Sequence, residues 1–170
     1  MPSPSVRPPS VDRPWMPGYG VPADTTGLLP WSWVVERLTA SRNYWIGTVD
    51  ASGAPHAAVV WGVWHDDGSS GAFFFSTGGA SRKARNLRAE PRCTVAPETT
   101  ADALVVSGRA TAVTSGAELD PVRDAYVAKY GEGFPEPGAD PLFCVRPELV
   151  LATPEADFTN RPTRWRFPPA

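Results

Sequence analysis

Between Tyr44 and Phe167 the chain is a series of short β-type stretches, most of them joined by turns too short to hold a crossover helix. "YWIGTV" (Tyr44 to Val49) meets "DASG", a turn by composition. "PHAAVVWGVWH" (Pro55 to His65) meets "DDGSSG", and "AFFFS" (Ala72 to Ser76) follows. Parallel neighbours need a dozen or more connecting residues, so these strands are expected to pair antiparallel. Short strands punctuated in this way suggest a barrel or sandwich. The expected fold is a small closed or split β-barrel with flanking helices, mainly β in an α+β arrangement.

Further strands are expected at "RCTVAP" (Arg92 to Pro97), "ALVVSGRATAV" (Ala103 to Val113), "LFCVRPELVLAT", as one or two strands, and "TRWRF" (Thr163 to Phe167). Gly108 falls mid-strand, where glycine often marks a bulge or bend. A first helix fits about Pro30 to Arg42, with Trp31, Val34, Val35 and Leu38 on one face. A second begins after Ser81. A third fits "SGAELDPVRDAYVAKYG", with Ser115 and Glu118 as a capping box and Gly131 as the stop. Residues 1–27 are Pro-, Ser- and Gly-rich and read as an extended or disordered arm. Residues 28–170 read as one domain.

Composition narrows the function classes. The net charge of -2 argues against a general nucleic-acid binder. There is no apolar run long enough to span a membrane and no secretory leader pattern, so a soluble, cytoplasmic protein is expected. Cys93 and Cys144 are isolated, and His56 and His65 match no metal-ligand spacing, so no metal site is expected. Serine-hydrolase and dinucleotide-fold motifs are absent.

One stretch departs from ordinary helix electrostatics. "FFFSTGGASRKARNL" (Phe73 to Leu87) reads as strand, small-residue loop and helix, with Ser81 as the N-cap. Arg82, Lys83 and Arg85 lie in the first turn, where the helix dipole disfavours cations. A bound phosphate would reverse that sign, accepting from helix N–H groups and basic side chains together. Solvated cations paired with Glu90 or Glu98 are the other reading, and local physics leaves both open.

"FFFSTGGASRKARNLRAEPRCTV", with "RNYWIGTVDASGAPHAAVVWGVW" before it and "ALVVSGRATAV", "AYVAKYG" and "TRWRF" after it, resembles the flavin-binding split-barrel superfamily of pyridoxamine 5'-phosphate oxidases. The resemblance spans about residues 30 to 167. It implies a six-stranded antiparallel split barrel of the FMN-binding type, forming a homodimer with cofactor sites at the interface. Arg82 and Lys83 match the residues that grip the cofactor phosphate, and Ser76, Thr77 and Ser81 its hydroxyl and backbone donors. Asn86 matches the helix position facing the cofactor tail. Ala58, Val59, Val60 and Trp61 match the strand edge along the isoalloxazine ring. Arg164 and Trp165 match a ring-side contact from the partner subunit.

The second strand lacks the basic residue at each end that true pyridoxamine phosphate oxidases carry, and "TRWRFPPA" replaces their terminal substrate-phosphate element. "WGVW", "SRKARNL" and "RWRF" are more similar to the deazaflavin-dependent branch. The resemblance thus implies an oxidoreductase that uses coenzyme F-420 to pass hydride to a small or planar organic substrate, with Arg85 and Arg88 extending the basic path for the long tail. The alternatives are an FMN-dependent oxidoreductase, or a non-catalytic flavin, haem or tetrapyrrole binder with His56 as the haem ligand. No residue stands out as a proton donor; Tyr126, Tyr130 and His56 qualify by type alone. Trp61, Trp64 and Trp165 are candidates to line a pocket for a flat ligand, although Trp61 and Trp64 point to opposite faces of an unbroken strand.

Overall fold

A computed structural model describes residues 8–99, 101–114, 119–131, 133–134 and 140–168. Nine strands and three helices follow in the order β1 (Ser10–Asp12), α1 (Trp31–Ala40), β2 (Asn43–Val49), β3 (Pro55–Trp61), β4 (Val63–His65), β5 (Ala72–Ser76), α2 (Arg82–Ala89), β6 (Arg92–Pro97), β7 (Asp102–Ala112), α3 (Asp120–Tyr130), β8 (Leu142–Pro154) and β9 (Thr163–Arg166). The expected capping box at Ser115 and Glu118 lies outside the described residues.

Every strand pair is antiparallel. The sheet runs β1-β9-β8-β7-β6-β2-β3, while β5 pairs with both β8 and β4. The expected strand Pro55 to His65 is thus two strands, broken at Gly62. β3 pairs with β2, β4 pairs with β5, and β5 pairs with β8, so the bent strand closes β2, β6, β7, β8 and β5 into a six-stranded barrel. Among the described residues β3 pairs with β2 alone, so its other edge faces a split in the wall. Gly62 is required by packing: a Cβ there would fall 2.6 Å from the Phe74 carbonyl and 2.3 Å from the Phe73 ring.

Strand alternation fills the barrel. Tyr44 and Ile46 of β2, Phe73 and Phe75 of β5, Val95 of β6, Val106 of β7 and Val145 and Val150 of β8 point inward and are fully buried. Helix α1 closes this core with Val34 and Leu38. A second apolar cluster lies under α3, where Val122, Tyr126 and Tyr130 pack on Val63, Phe74 and Leu142. Gly108 sits at the register shift between β7 and β8. A Cβ there would stand 2.1 Å from the Arg146 carbonyl, so the close approach of the two strands excludes any side chain.

From Pro8 onward the arm is held in place. β1 pairs with β9, and Asp12 grips Arg164 through two hydrogen bonds of 2.8 and 2.9 Å and Arg166 through one of 2.6 Å. Arg13 is buried, and its guanidinium donates to the carbonyls of Asp24, Thr26 and Asn160. Charge-assisted bonds to backbone satisfy the buried cation and offset the ordering cost of a proline-rich segment.

Candidate anion-binding site between β5 and α2

The expected loop and helix form as the sequence suggests. Ser81 caps α2, its hydroxyl accepting from the Ala84 N–H at 3.3 Å and lying 3.2 Å from the Thr77 hydroxyl. The first-turn N–H groups of Arg82 and Lys83 have no intrahelical acceptor, as at any helix start. Ser76 donates to the Pro141 carbonyl at 3.2 Å, and the Thr77 N–H reaches the same oxygen at 3.3 Å. These bonds tie the end of β5 to the start of β8 and fix where the loop begins.

The basic residues divide into two groups. Arg82 pairs with Asp50 of the β2–β3 turn at 3.0 Å. Arg85 and Arg88 turn back on the loop, donating to the carbonyls of Ala80 and Gly79 respectively. These bonds fold both side chains back onto the loop. Lys83 has neither ion pair nor hydrogen bond among the described residues. The Glu90 and Glu98 partners considered from sequence are committed elsewhere: Glu90 to Arg92, Glu98 to Asn43.

Asn86 is buried at 5% exposure and donates to the Thr48 hydroxyl at 3.0 Å. That bond locks α2 onto β2, so the amide is a positioning group of the helix. Of the β3 residues, Val60 belongs to the core and Ala58 packs against it, while Val59 and Trp61 show their side chains to the outside. Any contact of this strand with a ring lying along it would therefore use its open backbone edge and these two residues. Trp61 stacks on Tyr130, with centroids 4.8 Å apart and planes 7° from parallel. The Tyr130 hydroxyl accepts from the Gly62 N–H at 2.8 Å and donates to the Arg42 carbonyl at 2.6 Å. Helix α3 thereby pins the bend.

Two expected residues lie away from this loop. Trp165 is 1% exposed and packs edge-on against Trp31. Its indole forms part of the protomer's own core, at the position where the resemblance implies a ring-side contact. Arg164 is held by Asp12. Trp64 is likewise buried, and the bend at Gly62 separates it from the exposed Trp61. His56 carries a buried Nδ1 with no partner among the described residues. Cys93 and Cys144 are buried free thiols, and no His/Cys/Asp/Glu cluster that could hold a metal occurs among the described residues. Nor is any helix of those residues long and apolar enough to cross a membrane.

The outer wall of the barrel carries features that the sequence did not mark. Trp45 is 47% and Val59 50% exposed, and the two are cross-strand partners. Ala96 flanks Trp45 on the other side, and the exposed pair Val105 and Leu151 continues the same apolar band. An open cleft of about 650 Å³ lies beside the band, lined by Gly47, Val49, Ala57, Thr94, Ser107 and Glu148 among others. His56, the candidate haem ligand, also lines it, whereas none of the residues expected to hold a flavin or F-420 does.

A family model described as pyridoxamine 5'-phosphate oxidase matches residues 33–153. The chain belongs to that family. Among solved structures, a pyridoxamine 5'-phosphate oxidase-related FMN-binding protein from Nostoc punctiforme is 18% identical, with 78% of this chain and 87% of that chain covered and a TM-score of 0.55. The haem storage protein HutZ from Vibrio cholerae is 24% identical, covering 69% and 89%, with a TM-score of 0.56. An FAD-binding protein from Mesorhizobium loti is 19% identical, covering 81% and 95%, with a TM-score of 0.55. At these identities the likeness establishes the split-barrel fold. No curated protein matches the sequence.

A half-buried ammonium supports the bend. Lys129 Nζ donates to the Ser41 carbonyl at 2.8 Å, the Tyr44 hydroxyl at 2.7 Å and the Gly62 carbonyl at 3.3 Å. Burial, and then the nearby Arg42 charge, push its pKa down to about 8. The folded state thus holds this proton less tightly than the unfolded chain, so stability rises with pH above about 8. The Cys93 thiol, pushed up to about 12 by burial, acts in the opposite sense above its ordinary value of 9.0. A rise in stability between roughly pH 8 and 9 is therefore expected in chemical denaturation, and Lys129→Met should abolish it. A Lys129 Nζ that titrates like a free lysine, with a flat stability profile, would contradict this.

Proposed function

We propose that this family member binds a flavin whose phosphate is gripped at the start of α2, with its ring along the open edge of β3, and that it uses the bound flavin in a redox reaction. The observation that carries this reading is the uncommitted Lys83 beside a Ser81-capped helix start and a small-residue loop, opposite an unpaired strand edge. The arrangement fits a phosphate: two first-turn N–H groups, two neighbouring hydroxyls and at least one free cation converge on it.

Flavin mononucleotide is the cofactor this geometry favours. Coenzyme F-420 shares a phosphate-bearing tail, and the sequence resemblance points towards it. Its longer acidic chain, however, would call on Arg85 and Arg88, which are spent on the carbonyls of Ala80 and Gly79. The similarity to an FMN-binding split barrel supports the shorter-tailed choice. A bound flavin would supply hydride or single-electron chemistry at its ring. The chain's own part is to orient the ring against Val59, Trp61 and the β3 backbone, and to hold the tail with Lys83, Arg82, Thr77 and Ser81.

The apolar band on the outer wall supports the expected homodimer. Trp45, Val59, Val105 and Leu151 form a contiguous surface next to β3, so a second copy seated there would also cover the open cleft and approach the ring edge. Replacing Trp45 with Glu is expected to convert a dimer to a monomer in light scattering after gel filtration. A monomer in the unmodified protein would exclude this assembly.

Titrations of the apoprotein with FMN, F-420 and haem discriminate the cofactor readings. FMN is expected to bind, and Arg82→Ala combined with Lys83→Ala should weaken it at least tenfold, since each charge-assisted bond is worth roughly 1.5–3 kcal/mol. Binding of F-420 alone would return the deazaflavin reading. A haem Soret band lost in His56→Ala, without flavin binding, would replace both with haem binding.

A further inference from the structure

We infer that Asp50 and Asp140 are built-in counter-anions of the phosphate cradle, so that the cofactor's phosphate enters by exchange against the chain's own carboxylates. The inference rests on the flavin-phosphate reading of the β5–α2 loop. It goes beyond that reading by naming which of the chain's own groups an entering phosphate displaces.

Asp140 Oδ1 accepts from the Gly79 N–H at 2.9 Å. This is the kind of small-residue backbone donor that a phosphate oxygen would take. A Cβ on Gly78 would stand 4.0 Å from the same oxygen. The carboxylate is set there by its neighbour, since the Pro141 carbonyl accepts from both Ser76 and Thr77 at the loop's start. Asp50 approaches from the other side. Its Oδ1 is taken up by the Ser52 N–H at 2.9 Å, the Ser52 hydroxyl at 2.6 Å and the Ala54 N–H at 3.0 Å. That leaves Oδ2 facing Arg82 at 3.0 Å. The acid is fixed by its turn, whereas the arginine is half-exposed and this carboxylate is its one ion pair among the described residues.

With Arg85 and Arg88 held on loop carbonyls, Lys83 is the first point of contact for an incoming anion. A phosphomonoester carries about 1.5 to 2 negative charges at neutral pH and three acceptor oxygens, so it can outbid one carboxylate charge for Arg82 and the Gly79 N–H. A phosphodiester brings a single charge and gains less from the exchange. The two aspartates thus lower the affinity for any anion that enters the cradle and leave an unphosphorylated flavin unaffected.

The test compares the unmodified protein with Asp140→Asn and Asp50→Asn, each of which keeps a side-chain oxygen able to accept. FMN and riboflavin are titrated by flavin fluorescence, and inorganic phosphate by its thermal stabilisation of the protein. Each substitution is expected to tighten FMN and inorganic phosphate roughly three- to tenfold and to leave riboflavin unchanged. FMN affinity that stays the same or falls in both variants, while Arg82→Ala with Lys83→Ala still weakens it, overturns the exchange and leaves the flavin reading standing. A gain for inorganic phosphate alone, with no flavin bound by any variant, supports the exchange and overturns the flavin reading. No response of either probe to any substitution overturns both.

Discussion

The structure depends on the bend at Gly62. There a continuous β segment stops pairing with β2 and starts pairing with β5, which converts an open meander into a barrel. The bend needs a residue with no side chain, because the Phe73 ring and the Phe74 carbonyl already occupy the space. It also exposes a backbone N–H and C=O, which the Tyr130 hydroxyl and Lys129 ammonium reach from α3. Closure at this point leaves the outer edge of β3 unpaired among the described residues. In most proteins such an edge is a hazard that must be covered. Here it lies beside the small-residue loop, and a ligand or a second copy is what would cover it.

Electrostatics at the start of α2 follow from the same geometry. The β2–β3 turn brings Asp50 to Arg82, and the β5–β8 pairing brings Asp140 to Gly79. A cationic first turn that is unfavourable in an isolated helix is thereby partly neutralised in the folded chain. The loop is stiffened from within by Arg85 and Arg88 rather than left to order upon binding. Preorganisation of this kind lowers the entropic cost of taking a ligand.

Much of the fold was legible in the sequence because its signals are local. Short turns set antiparallel pairing, Ser81 announced a helix start, and Gly131 marked the end of α3, where it adopts a left-handed conformation. The break at Gly62 was not legible, since "VVWGVWH" reads as one strand until Phe73 and Phe74 are placed across it. The site was legible in its donors and illegible in its acceptors. Arg82 and Lys83 stand in one motif, but Asp50 lies 32 positions from Arg82 and Asp140 lies 61 positions from Gly79, and each meets its partner only through strand pairing. Asp50 had been read as a turn residue, which it also is. The side that Trp165 faces was not legible, since a tryptophan on a short strand carries no mark of it, and here α1 supplies Trp31 to cover the ring.

The central claim is that the start of α2 holds the phosphate of a flavin. Phosphorus NMR of the FMN-loaded protein tests it most directly. Bound phosphate is expected to give a resonance shifted from that of free FMN, and one that no longer titrates near pH 6, because the dianion is held by Lys83, Arg82 and the helix N–H groups. A bound flavin whose phosphorus signal moves with pH like that of the free cofactor would place the phosphate in solvent and contradict the account.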